Sequence, residues 1–296
     1  MKKTDVLCCW MYHANLIGFF ASLISGKRKI IWCIRHSSLN PLYEKKSTLF
    51  VNSICAKLSR YVSAILYNGE RARKVHEEAG YCSDHGFVTD NGCDMEIFKH
   101  IEGAKESVRE ELGVENDKKI LLSVTRNAPI KDIPNFVQAF ADYHGKDENS
   151  VAVLCGNGIT NDNQGLVSLC SSCGLTVGSN IFLLGLREDI PRIMSASDLF
   201  VLHSAGEAFP NTLIQAMACE TMCVTTDVGD AGKIIRNDSF VAIPKDEAEL
   251  CKTMLYALSL DEKEKEVIKK ENRNIVNENY DIRKVVQQYE EAFESC

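Results

Sequence analysis

The stretch DLFVLHSAGEAFPNTLIQAMACETMCVTTDVGDAGKII, residues 198–235, decides the fold. It opens on an apolar strand-like run at 198–202 and passes through a loop at 203–209. A helical pattern starts at Pro210, followed by a β-branched run that ends at Thr226 and the turn Val228-Gly229-Asp230-Ala231-Gly232. Strand, loop, helix and strand in that order, with strands apolar on both faces, mark a parallel sheet covered by helices. Pro210 suits the first helical position because its missing N–H would be unpaired there anyway. The next backbone N–H groups, at Asn211 and Thr212, then point out of the helix N-terminus at the carboxyl end of a strand, a seat for phosphate in a doubly wound sheet.

The same alternation runs outward in both directions. Residues 6–10, 30–34, 64–67, 120–124, 151–155, 181–184, 199–202, 223–226 and 240–243 read as strands, with helical patterns at 135–143, 165–173, 211–219 and 247–258 between them. The class is α/β with parallel sheets. Asn91-Gly92 is a turn signal, and the polar stretch 100–119 separates two strand series, which places a linker over residues 97–118. The expected domains are a partial N-terminal Rossmann-like domain at 1–97, a C-terminal Rossmann-like domain at 98–280, and a helix at 281–296 that packs back toward the first. The second series has about six strands and the first only three or four, thin for an independent sheet. The chain opens almost directly on a strand, at Asp5-Val6-Leu7, so the expectation is that the N-terminal domain is incomplete and needs strands ahead of Met1.

Hydrophobic residues make up 45% and charged residues 25% of the 296 residues, which excludes a disordered chain and supplies ample apolar material for cores. Charge is uneven: 13 Lys and Arg face 9 Asp and Glu over residues 1–98, and 21 face 32 over residues 99–296, giving +4 and −11. The basic part suits an anionic substrate or lipid surface, with Lys27, Arg28, Lys29, Lys45, Lys46, Lys57 and Arg60 contributing, though each alone reads as a solvated charge. Nucleic acid is a poor partner for a chain of net charge −7 in which no basic run is interleaved with aromatics.

Thirteen irregularly spaced cysteines and the lack of a signal-peptide pattern predict free thiols in a reducing cytoplasm. Cys170 and Cys173 form a C-x-x-C without a second pair at zinc spacing, and LVSLCSSCGL around them reads as an amphipathic helix, so core packing is expected there. The apolar stretch 16–24 is too short for a membrane span, which limits any membrane contact to a peripheral one.

Glu207 lies on the loop just ahead of the expected phosphate seat, and Gln215 lies eight positions further on, inside the helix. A carboxylate and a side-chain amide so placed suit pairs of hydroxyls, as sugar and ribose recognition demand. Each alone reads as a surface residue; their coincidence with Phe209-Pro210-Asn211 favours a binding role. In LLSVTRNAPIKDIPNFVQAF a strand ends at Thr125 and is followed by Arg126, a Pro-containing loop and Lys131. Two cations at the carboxyl end of the domain's first strand can face a diphosphate and stabilise a departing nucleotide without a divalent metal. No D-x-D of the metal-binding sort is present, in keeping with that reading. Gly156 and Gly158 in VLCGNGI follow a strand directly, a weak signal alone and not the G-x-G-x-x-G of NAD sites.

With these residues in view, the sequence resembles the family 4 retaining glycosyltransferases of GT-B fold. The resemblance follows DVLCCWMYHANLIG, IIWCIRHSSL, VTDNGCDMEIF, SVTRNAPIKDIPNFVQAF, CGNGI, FLLGLREDIPRIMSASDLFVLHSAGEAFPNTLIQAMAC and TTDVGDAG in order over nearly the whole chain. It implies two Rossmann-like domains, a UDP- or GDP-sugar donor with no cofactor or metal, and retention of configuration by front-face displacement. It further implies that Arg126 and Lys131 bind the donor diphosphate, Glu207 contacts the donor sugar and Gln215 the nucleotide ribose. This sequence departs from the family pattern at four points. Gln215 replaces a glutamate, and Glu220 stands where a glycine is usual. Trp10 and Cys8 take positions often held by histidine, leaving His13 as the N-terminal histidine carried forward, with Arg35 beside it on the acceptor side. The family's opening βαβα with its glycine-rich loop has no counterpart.

The leading reading is a transferase of bacterial surface-polysaccharide type, cytoplasmic or peripheral at the inner membrane face, with a saccharide or lipid-linked acceptor. The alternative is a non-catalytic donor-binding fragment or partner subunit that needs a separate N-terminal half. A Rossmann oxidoreductase is disfavoured by the missing dinucleotide fingerprint and by the Glu207, Arg126 and Lys131 set.

Overall fold

The computed structural model describes residues 6–26, 29–41 and 44–294; Asp5, Lys27 and Arg28, named above, lie outside the described residues. The chain divides into two compact units, one drawn from Met1–Gly92, Gly206–Pro210 and Ile282–Cys296, the other from Cys93–Ala205 and Asn211–Asp281. Each is built around its own parallel sheet.

The first unit opens with β1 (Leu7–Trp10), α1 (Met11–Ser25), β2 (Ile30–Ile34), α2 (Lys46–Leu58), β3 (Ala64–Tyr67), α3 (Glu70–Glu78) and β4 (Gly86–Val88). Its strands lie in the order β1-β2-β3-β4, all parallel. Side chains alternate between the two faces, as strand geometry requires. Trp32, Ile34, Ile65 and Tyr67 pack with Tyr12 and Phe19 of α1 and Cys55 of α2. Ile31, Cys33, Ala64 and Leu66 instead meet Tyr289, Ala292 and Phe293 near the chain's end. Strand β4 escapes a sequence reading because it is short, begins on glycine and leaves Phe87 exposed. At the heart of the first face, His76 donates from Nδ1 to the Ala72 carbonyl at 2.7 Å, so its Nε2, 2.7 Å away, accepts from the Tyr12 hydroxyl. Burial lowers the His76 pKa to about 4, and the ring is neutral.

The second unit continues with α4 (Ala104–Leu112), β5 (Lys119–Val124), α5 (Ile133–His144), β6 (Ser150–Cys155), α6 (Gln164–Ser172), β7 (Ile181–Leu183), α7 (Ile190–Ala196) and β8 (Leu199–Leu202). It closes with α8 (Asn211–Ala218), β9 (Cys223–Thr226), α9 (Ala231–Ile235), β10 (Val241–Ala242), α10 (Glu247–Ser259) and α11 (Glu262–Asn279), after which α12 (Ile282–Glu294) belongs to the first unit. Six parallel strands lie in the order β10-β9-β8-β5-β6-β7. The chain starts in the middle of this sheet, winds outward to β7, then returns to build the other half from β8. That reversal is the doubly wound topology.

Residues 97–118 are not a plain linker, because α4 lies within them. Its charged sequence hides a buried Ala104, Val108 and Arg109, which pack α4 onto α7. Helix α8 begins at Asn211, so Pro210 stands just ahead of the helix rather than in its first position. Of the C-x-x-C, Cys170 is buried in α6 and Cys173 stands at its C-terminal end, and every described cysteine is a free thiol.

Two local arrangements hold the central strands. Asp198, just before β8, accepts from the Ile120 N–H at 2.8 Å and pairs with Lys105 at 2.8 Å and Arg109 at 3.2 Å. After α8 the chain turns at Glu220, whose φ of 58° is left-handed and strained for any residue but glycine. Arg273 of α11 steadies this turn, pairing with Glu220 at 3.6 Å and donating to the Ala218 carbonyl.

Asp198→Ala leaves Arg109, only 4% exposed, without a counter-charge and should cost about 3 kcal/mol in urea unfolding. Glu220→Gly should instead raise stability by about 1 kcal/mol, since a half-buried ion pair at 3.6 Å contributes less than the relieved backbone strain. A lower thermal midpoint for Glu220→Gly would show the Arg273 pair to be the stronger term.

Candidate functional site

Ligands of open parallel sheets gather at the carboxyl ends of the strands where winding reverses, since the loops there part to opposite sides. In the second unit that place lies between β5 and β8, which pair at Leu121↔Leu199 and Leu122↔Phe200. The loop after β5 carries Arg126 and then the turn Pro129–Lys131. Asp132, left-handed at φ 51°, swings the chain from this turn into α5. The Ala205 N–H, on the loop after β8, donates to the Ile130 carbonyl at 2.9 Å, so the two loops are stitched together at the switch point.

Gly156 and Gly158 have a visible structural task here. The loop after β6 runs against the loop after β5, with the Asn127 N–H donating to the Asn157 carbonyl at 2.8 Å. A Cβ on Gly156, at φ 139°, would stand 1.6 Å from the Thr125 carbonyl oxygen, which no shift of a side chain could relieve. The glycine therefore lets the Arg126 loop lie down on its neighbour. Gly158 is less tight: its Cβ would meet the Asn127 Cβ at 3.0 Å.

His203 was not singled out from the sequence as a site residue, because one histidine after a strand reads as a loop polar group. The structure buries it between β5 and α5. Its Nε2 lies 2.8 Å from the Ser123 hydroxyl, and its ring stacks on Phe136 with centroids 4.9 Å apart. Burial pushes its pKa down to about 4, against the pull of the Asp132 and Lys131 backbone beside it. A neutral imidazole thus props the turn that carries Lys131.

Across the switch point, α8 presents Asn211, exposed, and Thr212 and Gln215, half-buried, in its first two turns. The first N–H groups of a helix are free of intrahelical partners and favour an anion. Arg126, Lys131 and the α8 N-terminus therefore stand on the loops that flank one switch point. Glu207 and Phe209 lie on Gly206–Pro210, a segment grouped with the first unit; there Glu207 is half-buried, its carbonyl accepts from the Ser37 hydroxyl, and Phe209 is buried.

His13, in the first unit, lies exposed in the opening turn of α1, just past β1. Arg35, beyond β2, lies over the rings of Trp10 at 4.9 Å and Tyr289 at 5.4 Å and donates to Asn91. Among the described residues no group of three or more His, Cys, Asp or Glu could hold a metal ion, and no helix is long and apolar enough to cross a membrane.

Comparison with known proteins gives this geometry a context. The sequence model of the family described as "Glycosyl transferases group 1" matches residues 104–274. The N-acetyl-alpha-D-glucosaminyl L-malate synthase of Bacillus anthracis is 25% identical over 188 residues, 63% of this chain and 48% of that protein. The UDP-Gal:alpha-D-GlcNAc-diphosphoundecaprenol alpha-1,3-galactosyltransferase of Escherichia coli is 28% identical over 155 residues, 51% of this chain and 39% of that protein. The matched chain thus spans less than half the length of either relative. The crystal structure of Anabaena Alr3699/HepE in complex with UDP-glucose superposes with a TM-score of 0.86 at 22% identity, covering 98% of this chain and 79% of that one. The fold is the α/β class with two Rossmann-like parallel sheets found in GT-B structures.

The depressed pKa values carry a pH prediction. His203 and His76 are near 4 in the fold and near 6.5 when unfolded, so the unfolded chain binds their protons first. Their contribution is fully present above about pH 6.5 and is lost as pH falls toward 4, by roughly 3 kcal/mol per histidine at most. Urea unfolding at neutral and acid pH should show a shallower loss for His203→Phe than for the parent chain; an unchanged acid slope would assign the loss to other groups.

Proposed function

This chain belongs to the group 1 glycosyl transferases, and from that premise we propose that it is a retaining, family 4 enzyme that moves a sugar from a nucleotide-diphosphate donor to a saccharide or lipid-linked acceptor. One observation carries the reading: two cations, Arg126 and Lys131, and the N-terminus of α8 flank the single switch point of the six-stranded sheet. A diphosphate needs charge-assisted hydrogen bonds and a positive dipole end, and these groups supply both without a metal. Glu207 takes hydroxyls of the donor sugar, and the Gln215 amide takes the ribose. In the reaction the bond from the anomeric carbon to the phosphate oxygen breaks and a bond to the acceptor oxygen forms on the same face. The acceptor's proton passes to the departing phosphate. Arg126 and Lys131 stabilise the charge that develops there.

The solved relative from Anabaena was crystallised with UDP-glucose, and the Escherichia coli relative is named for a UDP-galactose donor and a diphosphoundecaprenol-linked acceptor. These names make UDP the first nucleotide to test, and a lipid-linked acceptor agrees with the proposed role in surface polysaccharide synthesis, in the cytoplasm or at the inner membrane face. A second reading rests on the four-stranded sheet, in which β1 is an edge strand. In that reading the chain binds donor but transfers only when further strands are supplied alongside β1.

Titration calorimetry with UDP, GDP and their sugar conjugates, followed by hydrolysis and transfer assays, tests both readings. Binding with turnover supports the transferase, binding without turnover the donor-binding half, and a folded chain that binds none of them overturns the nucleotide site. Lys131→Ala and Glu207→Ala should each lower turnover on the order of a hundredfold or more while leaving the unfolding transition in place. Full turnover in both would overturn the residue assignment.

A further inference from the structure

Three neighbouring strands of the first sheet end level. Ile34 of β2 pairs with Tyr67 of β3, and Tyr67 with Val88 of β4. The next residues, Arg35, Asn68 and Thr89, therefore stand in one row at the carboxyl ends. The Asn68 N–H donates to the Ile34 carbonyl at 3.2 Å and the Thr89 N–H to the Tyr67 carbonyl at 2.8 Å, which holds the row in place. Being in register, the three side chains leave the sheet on one face, the face of Cys33 and Leu66 that meets α12. The row begins one strand in from the open edge at β1, and Asn68 and Thr89 are each only 2% exposed.

Each member of the row keeps a polar atom buried and without a partner: Nε of Arg35, Oδ1 of Asn68 and Oγ1 of Thr89. The Tyr289 hydroxyl, on a ring that Arg35 lies over, is a fourth. Buried polar groups are nearly always hydrogen-bonded, so four such atoms together call for a partner. The charge is unanswered as well. Arg35 Nη1 donates to two neutral acceptors, the Thr89 carbonyl at 3.4 Å and the Asn91 side chain, and among the described residues no carboxylate forms an ion pair with it. Asp90 attracts it only from further off, and burial, the largest influence on the guanidinium, lowers its pKa. A water molecule could satisfy one or two of these atoms, but it could not neutralise a half-buried cation.

We propose that Arg35, Asn68 and Thr89 form a binding site for a small anion that carries a hydroxyl beside its charge, a hydroxycarboxylate or a hydroxyl-bearing phosphate. Arg35 and the Thr89 hydroxyl donate to the oxygens of the charged group, and the neighbouring hydroxyl of the ligand donates to Asn68 Oδ1. In the transferase reading, on which this assignment rests, the anion belongs to the acceptor. Its binding is measured without a donor, so the two readings can fail separately.

Ligand-observed NMR on the whole chain with glycerate, glycerol 3-phosphate and glycerol, at fixed ionic strength, tests it. The three compounds share a hydroxylated carbon chain and differ in charge. A carboxylate site favours glycerate and a phosphate site glycerol 3-phosphate, and the favoured anion should bind on the order of tenfold or more tighter than glycerol. Arg35→Gln should abolish that preference. Thr89→Val should weaken anion binding about threefold and leave the thermal midpoint unchanged or higher, since an unsatisfied buried hydroxyl costs stability and a methyl group there does not. Circular dichroism confirms that the variants fold. A Thr89→Val chain with a lower midpoint and undiminished anion binding would show the hydroxyl to be bonded within the protein and overturn the proposal. Equal affinity for all three compounds would overturn it too, as would anion binding that Lys131→Ala removes and a folded Arg35→Gln chain retains. Anion binding that depends on Arg35 in a chain that binds no nucleotide would uphold the site and count against the transferase reading; turnover of a nucleotide sugar by a chain that binds neither anion would do the reverse.

Discussion

The carboxylate of Asp198 ties the start of β8 to the start of β5, and the far ends of those two strands inherit their spacing from that tie. It takes the Ile120 N–H and two cations at once, one of them the nearly buried Arg109. Buried charges of this kind are costly unless every partner is in place, so the pairing tolerates little slippage. A parallel pair displaced by one residue would turn every side chain to the opposite face and break the packing on both sides of the sheet. At the carboxyl ends, the same displacement would separate Arg126 and Lys131 from the N-terminus of α8.

The cation-bearing loop after β5 is shaped from three sides. The loop after β6 lies beneath it, at a closeness that only Gly156 permits. From β8 the Ala205 N–H grips its Ile130 carbonyl, and His203, neutral and stacked on Phe136, fills the space behind it. A Lys side chain is long and flexible, and the entropy of placing it is lowered when its backbone is already fixed. The groups that shape the loop are a glycine, a backbone N–H and a neutral imidazole.

Much of this was legible in the sequence, because buried parallel strands are continuous apolar runs and each run named there meets a strand in the structure. Strand β4 was missed, since three residues beginning on glycine carry no such run. Helix α4 was hidden by charge: its three buried residues include an arginine, so the stretch read as polar linker. Glu220 was legible as a departure from glycine, and the structure supplies the compensation, an arginine from a helix distant in sequence. Gly156 could be noticed, but its reason lies in a carbonyl 31 residues earlier, at Thr125. His203 could not be read at all, because its meaning depends on Ser123 and Phe136, which no local pattern links to it. Nor does any local signal tell that Gly206–Pro210 groups with the first unit while both of its neighbours in sequence belong to the second.

The order of the second sheet also bears on how the chain reaches this state. Its central strand β5 comes early in the unit, yet the bond from Ile120 to Asp198 closes a loop of 78 residues. Until β8 arrives, β5 and β6 form a growing sheet whose inner edge is the apolar KILLSV, unpaired and without charge beyond its first residue. Non-local parallel pairing of this kind is slow, and an open apolar edge is prone to pair with the wrong strand while it waits. Synthesis from the N-terminus exposes that edge for the time needed to make the intervening residues, so the doubly wound order that sets the switch point also leaves the unit's central edge open until β8 is made.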